Sequence, residues 1–197
     1  MTDRKLTRRQ ALTTSAGGAL SLTAAIALVN EAAAAEDDTF SKPEIIQVAT
    51  DFFGMTTRAV AQVVDKVFSD LGRPNAYVAG EEASGAFAVG LRYGKGFMHR
   101  KGYRNLTVYW QGPSIGFDIG ANASKCLTLV YRLRRQEEIF QRYPGLEGTY
   151  YFIAGVGVNY QRSGRISLAP MRTGLGVRAG VNAGYLNYTR ERNFLPF

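Results

Sequence analysis

Few residues in this chain have the type and spacing that covalent chemistry requires. His99 is the only histidine and Cys126 the only cysteine. In Phe97-Met98-His99-Arg100 the histidine has no carboxylate at metal-ligand spacing, and any Ser-His-Asp triad would have to pass through it. It reads as an exposed histidine on a strand edge. Cys126 has apolar neighbours, which marks a buried small residue rather than a thiolate nucleophile. Glu81-Glu82 and Glu137-Glu138 are adjacent pairs. Their members point apart on a strand or helix, so neither makes an acid/base dyad. Gly174-Leu175-Gly176 begins like a dinucleotide-binding loop, but the pattern after it continues as strand rather than opening a helix. No catalytic residue, no metal and no cofactor is expected, and an enzyme is the least favoured reading.

What remains is aromatic rings beside arginines: Arg92-Tyr93, Tyr103-Arg104, Tyr109-Trp110, Arg142-Tyr143 and Tyr160-Gln161-Arg162. Rings stack on sugars, and guanidinium groups grip phosphates or carboxylates. Taken singly, each tyrosine is more often a strand residue with a buried ring. The candidate ligand-binding set is Arg92, Tyr93, Tyr109, Trp110, Arg162 and Arg178. Charge points the same way. Residues 36–74 hold seven acids and four bases, whereas residues 75–197 hold sixteen bases and seven acids. Most of the bases are scattered; only Arg132, Arg134 and Arg135 come close together. Such an excess suits an anionic envelope lipid or glycan, or an envelope protein. The sequence sets no oligomeric state.

The N-terminus argues against nucleic acid as a partner, because it reads as an export signal. Arg4, Lys5, Arg8 and Arg9 precede an uncharged stretch over residues 10–30, and Ala32-Ala33-Ala34-Ala35 offers a small-residue cleavage site. Leu6-Thr7-Arg8-Arg9-Gln10-Ala11-Leu12 resembles the twin-arginine export motif, with Ala11 where an aromatic is usual. The core is rich in Ala, Thr, Ser and Gly, which favours cleavage after Ala35 over a retained anchor. The expected mature protein is periplasmic and has one cysteine, so no disulfide can form within the chain.

The elements that must position the aromatic and basic residues follow. Residues 36–55 read as a linker from which Phe52, Phe53 and Met55 could dock, and residues 56–197 as one domain. Val60, Val63, Val64, Val67, Phe68 and Leu71 line one face of a helix capped by Thr56 or Thr57 and stopped by Gly72 and Pro74. After Asn75 the apolar rhythm shifts to two, and eighteen of the twenty-two glycines lie from Gly80 onward. Strands are predicted over residues 86–93, 107–110, 114–119, 150–160, 165–168 and 175–188, with a buried strand favoured for 124–133. Gly94-Lys95-Gly96, Lys101-Gly102 and Ser163-Gly164 read as turns, and residues 134–143 as a helix. Glycine recurs at steps of two and four, leaving strand faces bare around Gly157, Gly176 and Gly180. Bare faces let a sheet coil tightly. The fold class is therefore mainly β with flanking helices: a small soluble glycine-rich β-barrel preceded by an amphipathic helix.

Three long motifs carry a family resemblance. They are Leu71-Gly72-Arg73-Pro74-Asn75-Ala76-Tyr77-Val78-Ala79-Gly80-Glu81-Glu82, the run from Val108 through Asp118, and Gly155-Val156-Gly157-Val158-Asn159-Tyr160-Gln161-Arg162-Ser163-Gly164. With the closing Tyr185-Leu186-Asn187-Tyr188-Thr189-Arg190-Glu191-Arg192, they resemble a bacterial domain-of-unknown-function family of exported envelope-integrity proteins (EipA-like). The resemblance implies a small periplasmic β-barrel, a role in envelope maintenance and no catalytic residues. More loosely, Gly90-Leu91-Arg92-Tyr93-Gly94-Lys95-Gly96 is similar to the SYLF lipid-binding domain. The preferred reading is a non-enzymatic binder of an anionic envelope component, with a protein–protein adaptor as the alternative.

Overall fold

Ser41-Lys42-Pro43-Glu44 is a helix-starting sequence, and in the computed structural model of this chain it starts α1 (Lys42–Phe53). The Ser41 hydroxyl accepts from the Glu44 N–H at 3.4 Å, and the Glu44 carboxylate accepts from the Ser41 N–H at 2.6 Å. This is a capping box, with proline in the first turn where its missing N–H does no harm. The Ser41 hydroxyl and N–H, with Lys101 beside them, hold the Glu44 carboxyl down to about 2. Ser41→Ala should lower stability by about 1 kcal/mol, read as a shifted denaturant midpoint at unchanged slope. The structure describes residues 38–87, 89–114, 122–173 and 184–193. The export signal with Arg8, Arg9 and Ala35, the glycine-spaced stretch with Gly176 and Gly180, and Arg178 lie outside these residues.

α2 (Thr57–Leu71) follows a left-handed Gly54, with Thr56 as its cap. Among the described residues, ten strands form one antiparallel sheet: β1 (Ala76–Phe87), β2 (Val89–His99), β3 (Leu106–Ser114), β4 (Asn122–Tyr131), β5 (Arg142–Pro144), β6 (Tyr151–Ile153), β7 (Val156–Val158), β8 (Gln161–Ser163), β9 (Ile166–Thr173) and β10 (Tyr185–Thr189). Their order is β5-β10-β3-β2-β1-β4-β9-β7-β6, with β8 also on β9. The two ends of the order β5…β9-β8 meet. Gly145, just after β5, bridges to Gln161 of β8, and the Leu146 N–H donates to the Tyr160 carbonyl at 2.8 Å. The sheet is barrel-like, as the glycine-spaced strands led us to expect.

Period two then sorts the side chains onto two cores. Inward-facing Val78, Met98, Val108, Trp110, Val130, Leu168, Leu186 and Tyr188 fill the barrel. Outward-facing Leu127, Leu129, Tyr131, Ala169 and Met171 pack under Val60, Val63, Val64 and Val67 of α2 and Ile45 and Ala49 of α1. From Cys126 to Tyr131 β4 is thus buried on both faces, which is why that part of it is apolar but for Thr128. A chain of hydroxyls ties α2 to the sheet: Tyr160 donates to Asp70 at 2.6 Å and lies 2.6 Å from the Tyr151 hydroxyl. β9 carries Pro170 at its centre, at the point where its partner changes from β8 to β7. There a missing N–H is tolerated.

Several expectations are corrected. Residues 42–53, within the stretch read as a linker, are a packed helix. Residues 86–93 straddle the reversal from β1 to β2, in which Phe87 pairs with Val89. Gly94-Lys95-Gly96 is not a turn but the middle of β2. Residues 134–143 form only a 3₁₀ turn (Gln136–Ile139) followed by β5, because Ile139 and Tyr143 are drawn into the barrel interior. The turns at Lys101-Gly102 and Ser163-Gly164 are present.

Candidate functional site

The long hairpin of β1 and β2, continued by β3, forms a wall with two different faces. Outward, β2 presents Tyr93, Lys95 and Phe97; inward, it presents Arg92, Gly94, Gly96 and Met98. The inner face is almost bare where Gly80 pairs with Gly96. A Cβ on Gly80 would stand 2.5 Å from the Gly96 Cα and overlap the Lys95 carbonyl oxygen. Backbones this close mean a tightly coiled sheet. On the outer face of the same wall lies a groove of about 570 Å³. That is an ordinary size for a small-molecule site.

Tyr93, Lys95 and Phe97 of β2, Tyr109 and Gln111 of β3, and Glu81 of β1 line the groove. Phe52 closes it from α1, and Arg192 and Asn193 after β10 border it. Register sets the pattern: Lys95 lies opposite Tyr109, and Tyr93 opposite Gln111. The Lys95 ammonium stands 5.7 Å from the centre of the Tyr109 ring. Glu81 is flanked across the strands by Lys95 and Lys125, and Lys125 donates to the Phe52 carbonyl at 2.7 Å. The surface therefore combines rings, ammonium groups, one carboxylate and amides. Gln111 is 1 % exposed, and its side-chain oxygen accepts from the Thr189 hydroxyl at 3.4 Å.

Behind the groove, inside the barrel, sits a charged cluster. Glu82 Oε1 lies 2.9 Å from Nε of Arg92 and 2.9 Å from Nε of Arg172. Its Oε2 accepts from the Trp110 indole N–H at 2.8 Å. Arg172 also donates through Nη1 to Asn159 at 2.8 Å. The Trp110 ring lies against the bare Gly94 and stacks on Tyr188, 5.9 Å between centres. The cluster thus pins the ring that backs the groove wall.

The sequence-derived set of six divides. Tyr93 and Tyr109 line the groove. Arg92 and Trp110 face the interior layer behind it. Arg162 is exposed on β8, donating to Ser167 at 3.2 Å, and does not join them. Phe52, Lys95, Gln111 and the Glu82–Arg172 pair were missed. The alternation of Tyr93, Lys95 and Phe97 around two glycines was the signal for Lys95, masked by reading those glycines as a turn. His99 is half-buried rather than exposed on an edge, stacked on Tyr77 at 4.8 Å, and burial lowers its pKa. Burial pushes the Cys126 thiol up to about 11, so it is no thiolate at neutral pH. Among the described residues, no group of three His, Cys, Asp or Glu side chains could hold a metal ion, and no helix is long and apolar enough to cross a membrane.

Comparison with known proteins places this geometry. The chain matches the EipA family, envelope integrity protein A, over residues 38–197. It is similar to a crystal structure from Brucella abortus described as a β-barrel-like, uncharacterized protein. The two are 42% identical with a TM-score of 0.75, covering 81% of this chain and 99% of that one. No curated protein matches it.

Proposed function

The chain belongs to the envelope integrity protein A family, and from that premise we propose that it serves the cell envelope by holding an anionic glycan in the β1–β3 groove. The glycan is either free or the headgroup of an envelope lipid. The protein acts from the periplasm, reached through the signal at Arg8 and Arg9, and without catalysis. Tyr93, Tyr109 and Phe97 offer ring faces for sugar rings, and Lys95 and Arg192 meet an acidic substituent. Glu81 accepts from hydroxyls. The observation that carries the reading is the groove itself, in which the rings of Tyr93, Phe97 and Tyr109 stand beside the Lys95 ammonium.

Calorimetric titration with acidic oligosaccharides released from the envelope, and with the intact glycolipid, tests it. Tyr109→Ala should weaken binding by about tenfold through lost stacking. Tyr93→Ala should weaken it by about tenfold as well, for the same reason. Raising the salt concentration should weaken the wild type and affect Lys95→Gln less. Wild-type protein that binds none of these ligands, or two variants that bind like wild type, would remove the proposal.

A further inference from the structure

The end of the barrel opposite the β1–β2 reversal is plugged and basic. Leu133 and Ile139 fill the interior there, both at most 1 % exposed. Three segments meet over them and are bound through their backbones. Arg100 donates to the Arg134 carbonyl at 2.8 Å, Gln136 to the Arg104 carbonyl at 3.0 Å, and Arg165 to the Arg132 carbonyl at 3.3 Å. Asn75 both donates to the Leu133 carbonyl and accepts from its N–H. The backbone is therefore fixed while the side chains face outward. Arg104, Arg132, Arg134, Arg135 and Arg165 are all exposed. Against these five guanidinium groups stand Glu137 and Glu138, and Glu138 is already shared by Arg165 and Arg135. Tyr103 projects from the same β2–β3 turn at 51% exposure, with the Arg100 guanidinium 4.4 Å from its ring centre.

We propose that this end docks on an anionic lipid bilayer surface, the arginines meeting headgroup phosphates and Tyr103 entering the headgroup layer. Arginine pairs with phosphate through two parallel hydrogen bonds, and tyrosine suits the boundary between apolar and wet regions. The five guanidinium groups are spread over three segments. A spread array fits lipids, which move sideways to meet it, better than one small rigid anion. The proposal stands on different residues from the groove and does not need it. Phe97, at one end of the groove, is three residues before Arg100, which directly follows β2, or roughly 10 Å away at strand spacing. Docking would hold the groove beside the surface where lipid-borne sugars stand.

Sedimentation of the purified protein with vesicles tests this. Vesicles of phosphatidylglycerol and phosphatidylethanolamine should bind it, and vesicles of phosphatidylcholine should not. Binding should fall steeply between low and high salt. The triple variant Arg104→Gln, Arg134→Gln, Arg135→Gln should melt like wild type, because the backbone carbonyls do the bonding there. It should lose about a hundredfold in vesicle partition, roughly fivefold per arginine. Tyr103→Ala should lose less, and the groove variant Tyr109→Ala should bind vesicles normally. Wild type that ignores anionic vesicles, or a folded triple variant that binds them fully, would overturn the proposal. So would a triple variant that loses only binding to soluble acidic polysaccharide, which would assign the arginines to a glycan. Failure of Tyr109→Ala to affect glycan binding touches the groove alone.

Discussion

Replacing Glu82 by glutamine should destabilise the protein by about 3–5 kcal/mol, measured by urea denaturation. The change is nearly isosteric, so the loss is electrostatic. Glu82 is 3% exposed and its Oε1 lies against both Arg92 and Arg172. Glutamine leaves both guanidinium groups in the barrel without that carboxylate. Combining Glu82→Gln with Arg172→Met should recover part of the loss, because it also removes one of the stranded cations. Acid should separate the variants too. Burial alone would raise the Glu82 carboxyl. Attraction to Arg172 and Arg92, with hydrogen bonds from Arg172 and Trp110, outweighs it and holds the carboxyl below its ordinary 4.5. Such a group contributes its full stability above the unfolded value and loses it as pH falls through the folded one. Wild type should therefore lose stability below pH 4.5 more steeply than Glu82→Gln, with Glu44 and Asp70 titrating in both. Parallel acid limbs, or a variant as stable as wild type, would mean that the cluster contributes nothing to the fold.

What could be read from sequence follows from how local each signal is. The helix over Val60, Val63, Val64 and Val67 was legible because its period, cap and stop all lie within the segment. The buried strand favoured within 124–133 was legible because its run Cys126-Leu127-Thr128-Leu129-Val130-Tyr131 is covered on both faces and is therefore mostly apolar. α1 was missed although Ser41-Lys42-Pro43-Glu44 is a sound capping box, because its apolar face is short and its polar residues suggested a linker. The glycines at 94 and 96 were misread because a glycine that bends a strand and a glycine that turns a chain look alike locally. Only the partner strand, with Gly80 opposite Gly96, tells them apart. The site suffered for the same reason. Tyr93 and Tyr109 were recognised as surface aromatics, yet alternation sends Arg92 and Trp110, their immediate neighbours, to the other side of the sheet. Nothing in the sequence joins Glu82 to Arg172, ninety residues away.

Gly80→Ala should cost at least about 3 kcal/mol, the upper range for overpacking, and could prevent folding outright. The sequence pointed to Gly157, Gly176 and Gly180 as the bare positions. Gly176 and Gly180 lie outside the described residues, and crowding of that kind is seen at Gly80, Gly94, Gly96 and Gly112. At Gly80 the new methyl would meet the backbone of Lys95 and Gly96, which cannot rotate away as a side chain can. At Gly94 it would overlap the Trp110 indole, and that ring is held by Glu82 and stacked on Tyr188. Gly148→Ala is the control. It has open space around it and a φ of +71°, so only the left-handed backbone is penalised, by about 1 kcal/mol. Thermal melts should rank Gly80→Ala and Gly94→Ala far below Gly148→Ala. Gly94→Ala should also displace Trp110, seen as a shift in its fluorescence emission. Because that ring backs the groove, glycan binding should fall in whatever folded fraction remains. If Gly80→Ala and Gly94→Ala melt no lower than Gly148→Ala, the inner face is not packed and the wall can flex. The groove would then owe its shape to something other than the bare glycines behind it.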